Sequence, residues 1–550
     1  MGRIGSKWCD HLLDGLEPAR VWAILCRPLT RYILAWLACL GVAAGLLWYG
    51  QIAFNDIQRR DGNSGHVQID FGGQWLMARM LVEGYGRELY NRDYQRRVLM
   101  AAYPIADQAP NAQLSDAEQL MQWLMGRDSP ELERRVGGPL YPPIHALLHY
   151  PLGLLTPRQG YRAIQPVIVL LGFVAAWGIR QISRGRIWWP IAAAVILIYP
   201  GFSAAVNLGQ NPVLTLTILV WGWYFLSRGH DGWGGAVWGL LAFKPVWATA
   251  FFLMLVLSGR GRACLAMLAT GAALAALTLP LVGVQSWLDW LAVGREAALL
   301  YNVDENWIKS SRDLLSLPRR WLIDFERPAD RRDGLAPALI GWALMAFVLE
   351  FTVRLAVLRR REARAGEGPP AAFLLLGAWL TCYHFMYYDV LLTVLPLLLL
   401  FTEPGRYLRP QLVALLPLPP AALGPAVRRY FEPRRADALP VPLPLLEPGS
   451  AKVAVLNGAV PTLAALILLS LYGPGCFGLT ADKVPPFETY CLIALWLCCG
   501  WLWMRGTDRA ATALTAKLAT ATAGLRDRLT FSSELESRPP GERSEHMLLE

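Results

Sequence analysis

Hydrophobic and polar positions alternate on two scales along this chain. On the long scale, apolar runs of about 20 residues are separated by short basic turns, which is the pattern of a polytopic α-helical membrane protein. The first run, 32–54, follows a polar leader, 1–31, carrying Arg3, Lys7, Arg20, Arg27 and Arg31. No small-residue cleavage site follows it, so the run reads as a retained anchor. Short cytoplasmic loops collect Lys and Arg. Arg180, Arg184 and Arg186, then Arg228, then Arg260 with Arg262, then Arg354 to Arg364, mark inside turns, and Arg406 to Arg435 and Arg505 to Arg509 complete the set. Alternation puts the loops 55–138, 207–212, 285–334 and 383–389 on the outer side.

On the short scale, Phe71, Trp75, Ala78 and Val82 recur at spacings of four, three and four, so they share one helical face. Gly84 supplies a stop. This predicts a helix lying on the membrane surface, with Asp70 at its N-terminal tip either as a cap or as a working carboxylate. A second polar helical stretch is expected over 115–135. Three apolar runs are too short or too interrupted for ordinary spans. Residues 141–156 read as a helix dipping into the outer half of the bilayer. Residues 234–258 are broken at Lys244-Pro245, and 371–402 at His384 to Asp389. Broken backbone at membrane depth is tolerated where it lines a cavity. The expected fold is therefore all-α, with about 11–13 transmembrane or half-membrane helices. The core spans 32–402. A Pro-rich cytoplasmic linker follows (403–450), then a two-helix membrane module (451–504, with spans at 451–473 and 487–504), then a largely disordered tail (505–550).

Composition agrees: 54% of residues are hydrophobic and mean hydropathy is +0.32, too apolar for an ordinary soluble protein. The net charge of +10 sits in the inside turns and is no nucleic-acid signal. The nine cysteines lack paired spacing and mostly fall in apolar runs, as core packing does.

Candidate chemistry gathers on the outer side. Lys244 is a cation inside an apolar run, next to a proline, and such a residue needs a partner or a ligand. A compact ammonium in a cavity suits a phosphate. His384 and Asp389 share an apolar run with Tyr383, Tyr387 and Tyr388. Asn207, Gln210 and Asn211 form a neutral polar knot that can cap helix ends or bind sugar hydroxyls. Asn302, Asn306, Ser310 and Arg312 lie in the second outer loop. Asp70 is a single acid rather than an Asp-x-Asp pair, no His/Cys/Glu cluster has ligand spacing, and Gly-rich phosphate loops are absent, so neither metal nor cofactor is expected. One carboxylate suffices as general base in a single inverting displacement, and the leaving phosphate needs cations, for which Lys244, His384 and Arg312 are candidates. The alternative is a transporter or flippase of a lipid-linked sugar, which would carry matched broken helices and midplane ionisable residues in both halves.

Asp70-Phe71 followed by 84–90, Tyr141-Pro142-Pro143 with Pro151-Leu152, Gly209-Gln210-Asn211, the 239–245 run ending in Lys244-Pro245, Asn306 with Ser310, and 384–389 occur in order over about 30–402. In this the chain resembles the GT-C glycosyltransferases of family 87, polyprenyl-phosphate-mannose-type enzymes of the cytoplasmic membrane. The resemblance implies a multi-pass enzyme with its active site facing the periplasm or cell exterior, a polyprenyl-phosphate-linked sugar donor, and a lipid or glycan acceptor. It implies Asp70 as base, Lys244, His384 and Arg312 at the donor phosphate, and Tyr141, Gln210, Asn211, Asn306, Ser310, Tyr388 and Asp389 at the substrates. The chain departs from the pattern at 302–311, where extra residues separate the Asn and Ser, and in its long linker, for which a protein partner is expected.

Overall fold

A computed structural model of the protein describes residues 28–55, 70–102, 139–185, 187–327, 331–360, 362–364, 366–400 and 486–504. The leader up to residue 27, the 115–135 stretch, the 403–450 linker, the 451–473 span and the 505–550 tail lie outside the described residues. Those described are mostly helical and form no strand.

The elements in chain order are α1 (Pro28–Asn55), α2 (Asp70–Val82), α3 (Arg92–Ala102), α4 (Pro143–Leu148), α5 (Tyr150–Gly153), α6 (Pro157–Ile182), α7 (Trp189–Ile198), α8 (Phe202–Leu208) and α9 (Pro212–Ser227). There follow α10 (Asp231–Gly239), α11 (Pro245–Leu257), α12 (Gly261–Leu300), α13 (Glu305–Ser310), α14 (Ser316–Leu322), α15 (Leu335–Leu358), α16 (Gly368–Leu380), α17 (Val394–Leu400) and α18 (Phe487–Met504). Pro28, Pro143, Pro157, Pro212 and Pro245 each open a helix, where the missing N–H costs nothing. Thr156 adds a capping box with Gln159 at the start of α6.

Among the described residues, five helices are long and apolar enough to cross a membrane: α1, α6, α12, α15 and α18. Helices α7 and α8 form a sixth if counted as one span bent by 66°. Helices α9, α11 and α16 are shorter apolar segments, as is the stretch 387–400. Leu37, Leu40, Leu265, Leu277, Leu339 and Phe347 point outward on the long helices. In water such a surface would aggregate, whereas lipid tails are as apolar as leucine and leave it at rest.

Two apolar clusters organise the interior. The larger is the helix-bundle core, with Trp223, Trp238, Trp247 and Trp379 fully buried. The smaller surrounds α2 and gathers Phe71, Trp75, Met77, Leu89, Leu99 and Tyr161. Helix α2 is not the surface-lying helix expected from its periodicity. Residues 71–78 and Met80 are buried on every side of it, because α4, α5 and α6 pack around it, with Gly153 of α5 and Gly160 of α6 so close that a Cβ on each would lie 2.6 Å from Ala78 C and 3.0 Å from Phe71 Cζ, respectively. Trp75 Nε1 donates to Leu155 O at 3.0 Å and fixes that contact.

The expected 285–334 loop begins later than its sequence suggested. Helix α12 breaks its geometry at Gly283 (φ 71°, ψ 170°) and then runs on to Leu300. This second half packs on the α2 cluster, Ser286 Oγ donating to Arg87 O at 3.0 Å and Trp290 Nε1 to Leu140 O at 3.1 Å.

Candidate active site

Polar side chains collect at the seam between the two clusters, where Asp70 precedes Phe71 of the α2 cluster and Lys244 follows Phe243 of the bundle core. Asp70 opens α2 with a left-handed φ of 50°. A non-glycine residue pays roughly 1–3 kcal/mol for such a backbone, and strain of this kind gathers at functional sites. Gln210 Nε2 donates to Asp70 Oδ1 at 2.5 Å, and Tyr141 Oη donates to Gln210 Oε1 at 3.1 Å. Gln74, one turn beyond Asp70, donates from Nε2 to Gly209 O at 3.2 Å. Gly209 ends α8 with φ 63°, and a Cβ there would lie 2.7 Å from that of Phe71. Only glycine lets α2 close on the α8–α9 turn. Burial, with the carboxylates of Asp70 and then Asp389 nearby, pushes the Tyr141 hydroxyl well above its ordinary range, and the Gln210 hydrogen bond works against them. Tyr141 therefore stays protonated and within electrostatic reach of both acids.

Lys244 stands in the break between α10 and α11. A 3₁₀ turn, Leu240–Phe243, leads into it and Pro245 restarts the helix. The predicted break is real, and the cation in it has a partner. Lys244 Nζ lies 2.7 Å from Asp389 Oδ1, with the two side chains 12% and 2% exposed, and 5.6 Å from the centre of the Tyr388 ring. Asp389 is thus the counter-ion of Lys244 in this structure. It sits in the first turn of the 3₁₀ helix Tyr387–Thr393, its backbone carbonyl accepting from Trp379 Nε1 at 3.2 Å.

His384, in the second break, also has a left-handed φ, 53°. Its ring stacks on Tyr301 at 3.5 Å, and its Nδ1 lies 3.9 Å from Asp313 Oδ2. Burial, then the ammonium of Lys244 and the guanidinium of Arg319, push its imidazole down to about 3, so the ring is neutral near pH 7. Arg312 lies beside this group, buried and ion-paired with Glu488 of α18. Its Nη1 donates to Lys309 O and Ser311 O, so it does not join Lys244 and His384. Asn306 and Ser310 belong to α13.

Five residues here escaped the sequence reading: Gln74, His145, Asp313, Arg319 and Glu488. His145 is fully buried, stacked between Tyr141 (4.0 Å) and His149 (4.2 Å), and neither of its ring nitrogens has a hydrogen-bond partner. The amide of Asn211 is likewise buried without a partner. The i, i+4 spacing of Tyr141, His145 and His149 was the available signal. Arg319 donates to the neutral oxygens of Asn302 (2.5 Å) and Tyr301 (3.4 Å). Burial pushes the Asp313 carboxyl up to about 6, against the Ser316 N–H and Arg319. Among the described residues, no three His, Cys, Asp or Glu side chains come together as a metal site would require.

Chemically, the seam offers a partly exposed carboxylate oriented by an amide, with a paired ammonium, an imidazole and tyrosine hydroxyls nearby. Residues 140–383 match the family model of glycosyltransferase family 87. The match includes Tyr141, Gln210, Lys244 and Arg312, and stops short of Asp70 on one side and of His384 and Asp389 on the other. No curated protein and no solved structure matches the chain.

Proposed function

We propose, from the match of residues 140–383 to glycosyltransferase family 87 and the apolar spans of the chain, a GT-C-type multi-pass membrane enzyme that moves a sugar from a polyprenyl-phosphate carrier to a lipid or glycan hydroxyl on the outer face of the cytoplasmic membrane. Mannose is the first sugar to test. The observation that carries the reading is the Gln210–Asp70 hydrogen bond of 2.5 Å. It orients the Asp70 carboxylate at the seam where the polar side chains meet.

In the proposed step the acceptor oxygen attacks the anomeric carbon from the side opposite the phosphate. The bond from that carbon to the phosphate oxygen breaks, and the anomeric configuration inverts. The acceptor proton passes to Asp70, and the polyprenyl phosphate leaves with the electron pair. Lys244 is assigned to the donor phosphate as its cation, which is worth most as charge develops in a water-poor site, and His384 as a neutral imidazole that donates a hydrogen bond to it. Asp389 would hold Lys244 in place until the phosphate arrives. Tyr141, Gln210, Asn211 and Tyr388 are assigned to the sugar and acceptor hydroxyls.

The test is turnover by the purified full-length chain, given polyprenyl-phosphate mannose and membrane lipid acceptors in excess EDTA. The expected result is a mannosylated product and one polyprenyl phosphate per transfer, undiminished by the chelator. Loss of transfer in EDTA with recovery on adding Mg²⁺ or Mn²⁺ would overturn the mechanism, and movement of intact lipid-linked sugar across vesicles without transfer would favour a flippase.

A further inference from the structure

Helix α18 lies beyond the residues that match the family, yet it grips the segment that carries His384 and Asp389. The contacts form a chain. Glu488 pairs with the Arg312 guanidinium, the two side chains being 2% and 4% exposed, and Thr489 Oγ1 donates to Arg312 O at 2.8 Å. Arg312 N in turn donates to Phe385 O at 3.0 Å, and Ser311 and Met386 form an antiparallel bridge. Met386 N donates to Asp389 Oδ2 at 3.4 Å, and Asp389 holds Lys244. The next residue on the other side, Asp313, faces His384. Further along α18, Trp496 stacks on Phe373 at 5.2 Å and Trp503 Nε1 donates to Glu362 at 2.7 Å, so the helix is fastened to the bundle along its length.

We propose that Glu488, through Arg312, is a positioning residue for the segment 383–389, and that α18 is part of the catalytic unit. A buried guanidinium needs a buried anion, and this one belongs to the residue whose backbone N–H bonds Phe385 O, next to His384. His384 is held in a left-handed backbone that non-glycine residues avoid. Such a conformation persists only where its surroundings over-determine it, and α18 contributes to those surroundings through Glu488 and Thr489 on Arg312. The functional consequence rests on the reading of His384 and Lys244 as the donor-phosphate site. The brace itself does not.

The test uses the full-length protein in detergent, comparing wild type with Glu488→Gln and with the milder Thr489→Val, which removes one hydrogen bond. Hydrogen exchange is followed at 383–389 and, as a control, at 143–153. Binding of a polyprenyl monophosphate is measured in parallel. Both variants should speed exchange at 383–389 and leave 143–153 unchanged. Both should weaken binding of the monophosphate, Glu488→Gln by about tenfold, the scale expected when a remote change displaces a binding group by a fraction of an ångström. Unchanged exchange at 383–389 in both variants would overturn the brace, and faster exchange with undiminished binding would overturn the positioning role. If wild type fails to bind the monophosphate, the donor reading falls, and the exchange measurement alone decides the brace.

Discussion

At the scale of single residues, the pairing of Lys244 with Asp389 sets the first prediction. Removing one member of a buried ion pair strands the other, at a cost of about 3–5 kcal/mol, whereas replacing both by neutral groups is far milder. Lys244→Met should therefore lower the apparent Tm sharply, and the double variant Lys244→Met/Asp389→Asn should recover most of the loss. Activity should not return in the double variant, because the phosphate still lacks its cation. A double variant that regains turnover would make the pair purely structural. Asp313 supplies a second prediction, in pH. Its carboxyl is pushed up to about 6 from an ordinary 3.8, so the folded state holds that proton more tightly than the unfolded chain does. The stability it contributes is present in full below about pH 4 and is lost as pH rises through about 6. Asn at this position keeps an oxygen for the Ser316 N–H (2.7 Å from Asp313 Oδ1) and cannot ionise. Asp313→Asn should flatten the fall of Tm between about pH 4 and 6, and an unchanged slope would assign that fall to other groups.

At the scale of elements, backbone contacts place the breaks. Gly201, before α8, has φ 89°, and a Cβ there would lie 2.2 Å from Tyr388 O, the residue next to Asp389. Gly84 has a similar φ, 82°, with nothing within 4 Å. Gly84→Ala should cost only the left-handed strain, about 1–2 kcal/mol. Gly201→Ala adds a clash with backbone and should both lower Tm further and impair turnover by moving 387–389. Equal effects on Tm and turnover in the two variants would remove the α8 contact from the account. The breaks themselves were legible, since Lys244-Pro245 and His384 to Asp389 each put polar residues and a helix-breaking backbone into an apolar run. The setting of α2 was not. Counting large apolar positions found one face, while the glycines that let neighbours close on the helix, Gly153 and Gly160, lie on other elements far along the chain and leave no mark in its periodicity.

At the scale of the whole molecule, the membrane class was legible from run length and basic turns, because those patterns are local. Which groups meet was not. Asp70 reaches Gln210 across 140 residues, Lys244 reaches Asp389 across 145 and Arg312 reaches Glu488 across 176. A single chain gives no local sign of such pairings, so Arg312 read as a free cation when it is a committed one, and Glu488 drew no notice at all. Asp70 was found because it begins a helix just after the first span, on the same side as the other polar loops, although a helix cap explains an acid there equally well. Whether it is a base or merely the first residue of α2 is the central question, and Asp70→Asn answers it most directly. Asn serves as well as Asp at a helix start, keeps the size of the side chain and can still meet Gln210, but it cannot take a proton. With polyprenyl-phosphate mannose as donor, kcat should fall by about 10²–10⁴-fold, while Tm and donor affinity stay near those of wild type. Turnover close to wild type in this variant would leave Asp70 a structural residue and contradict the account.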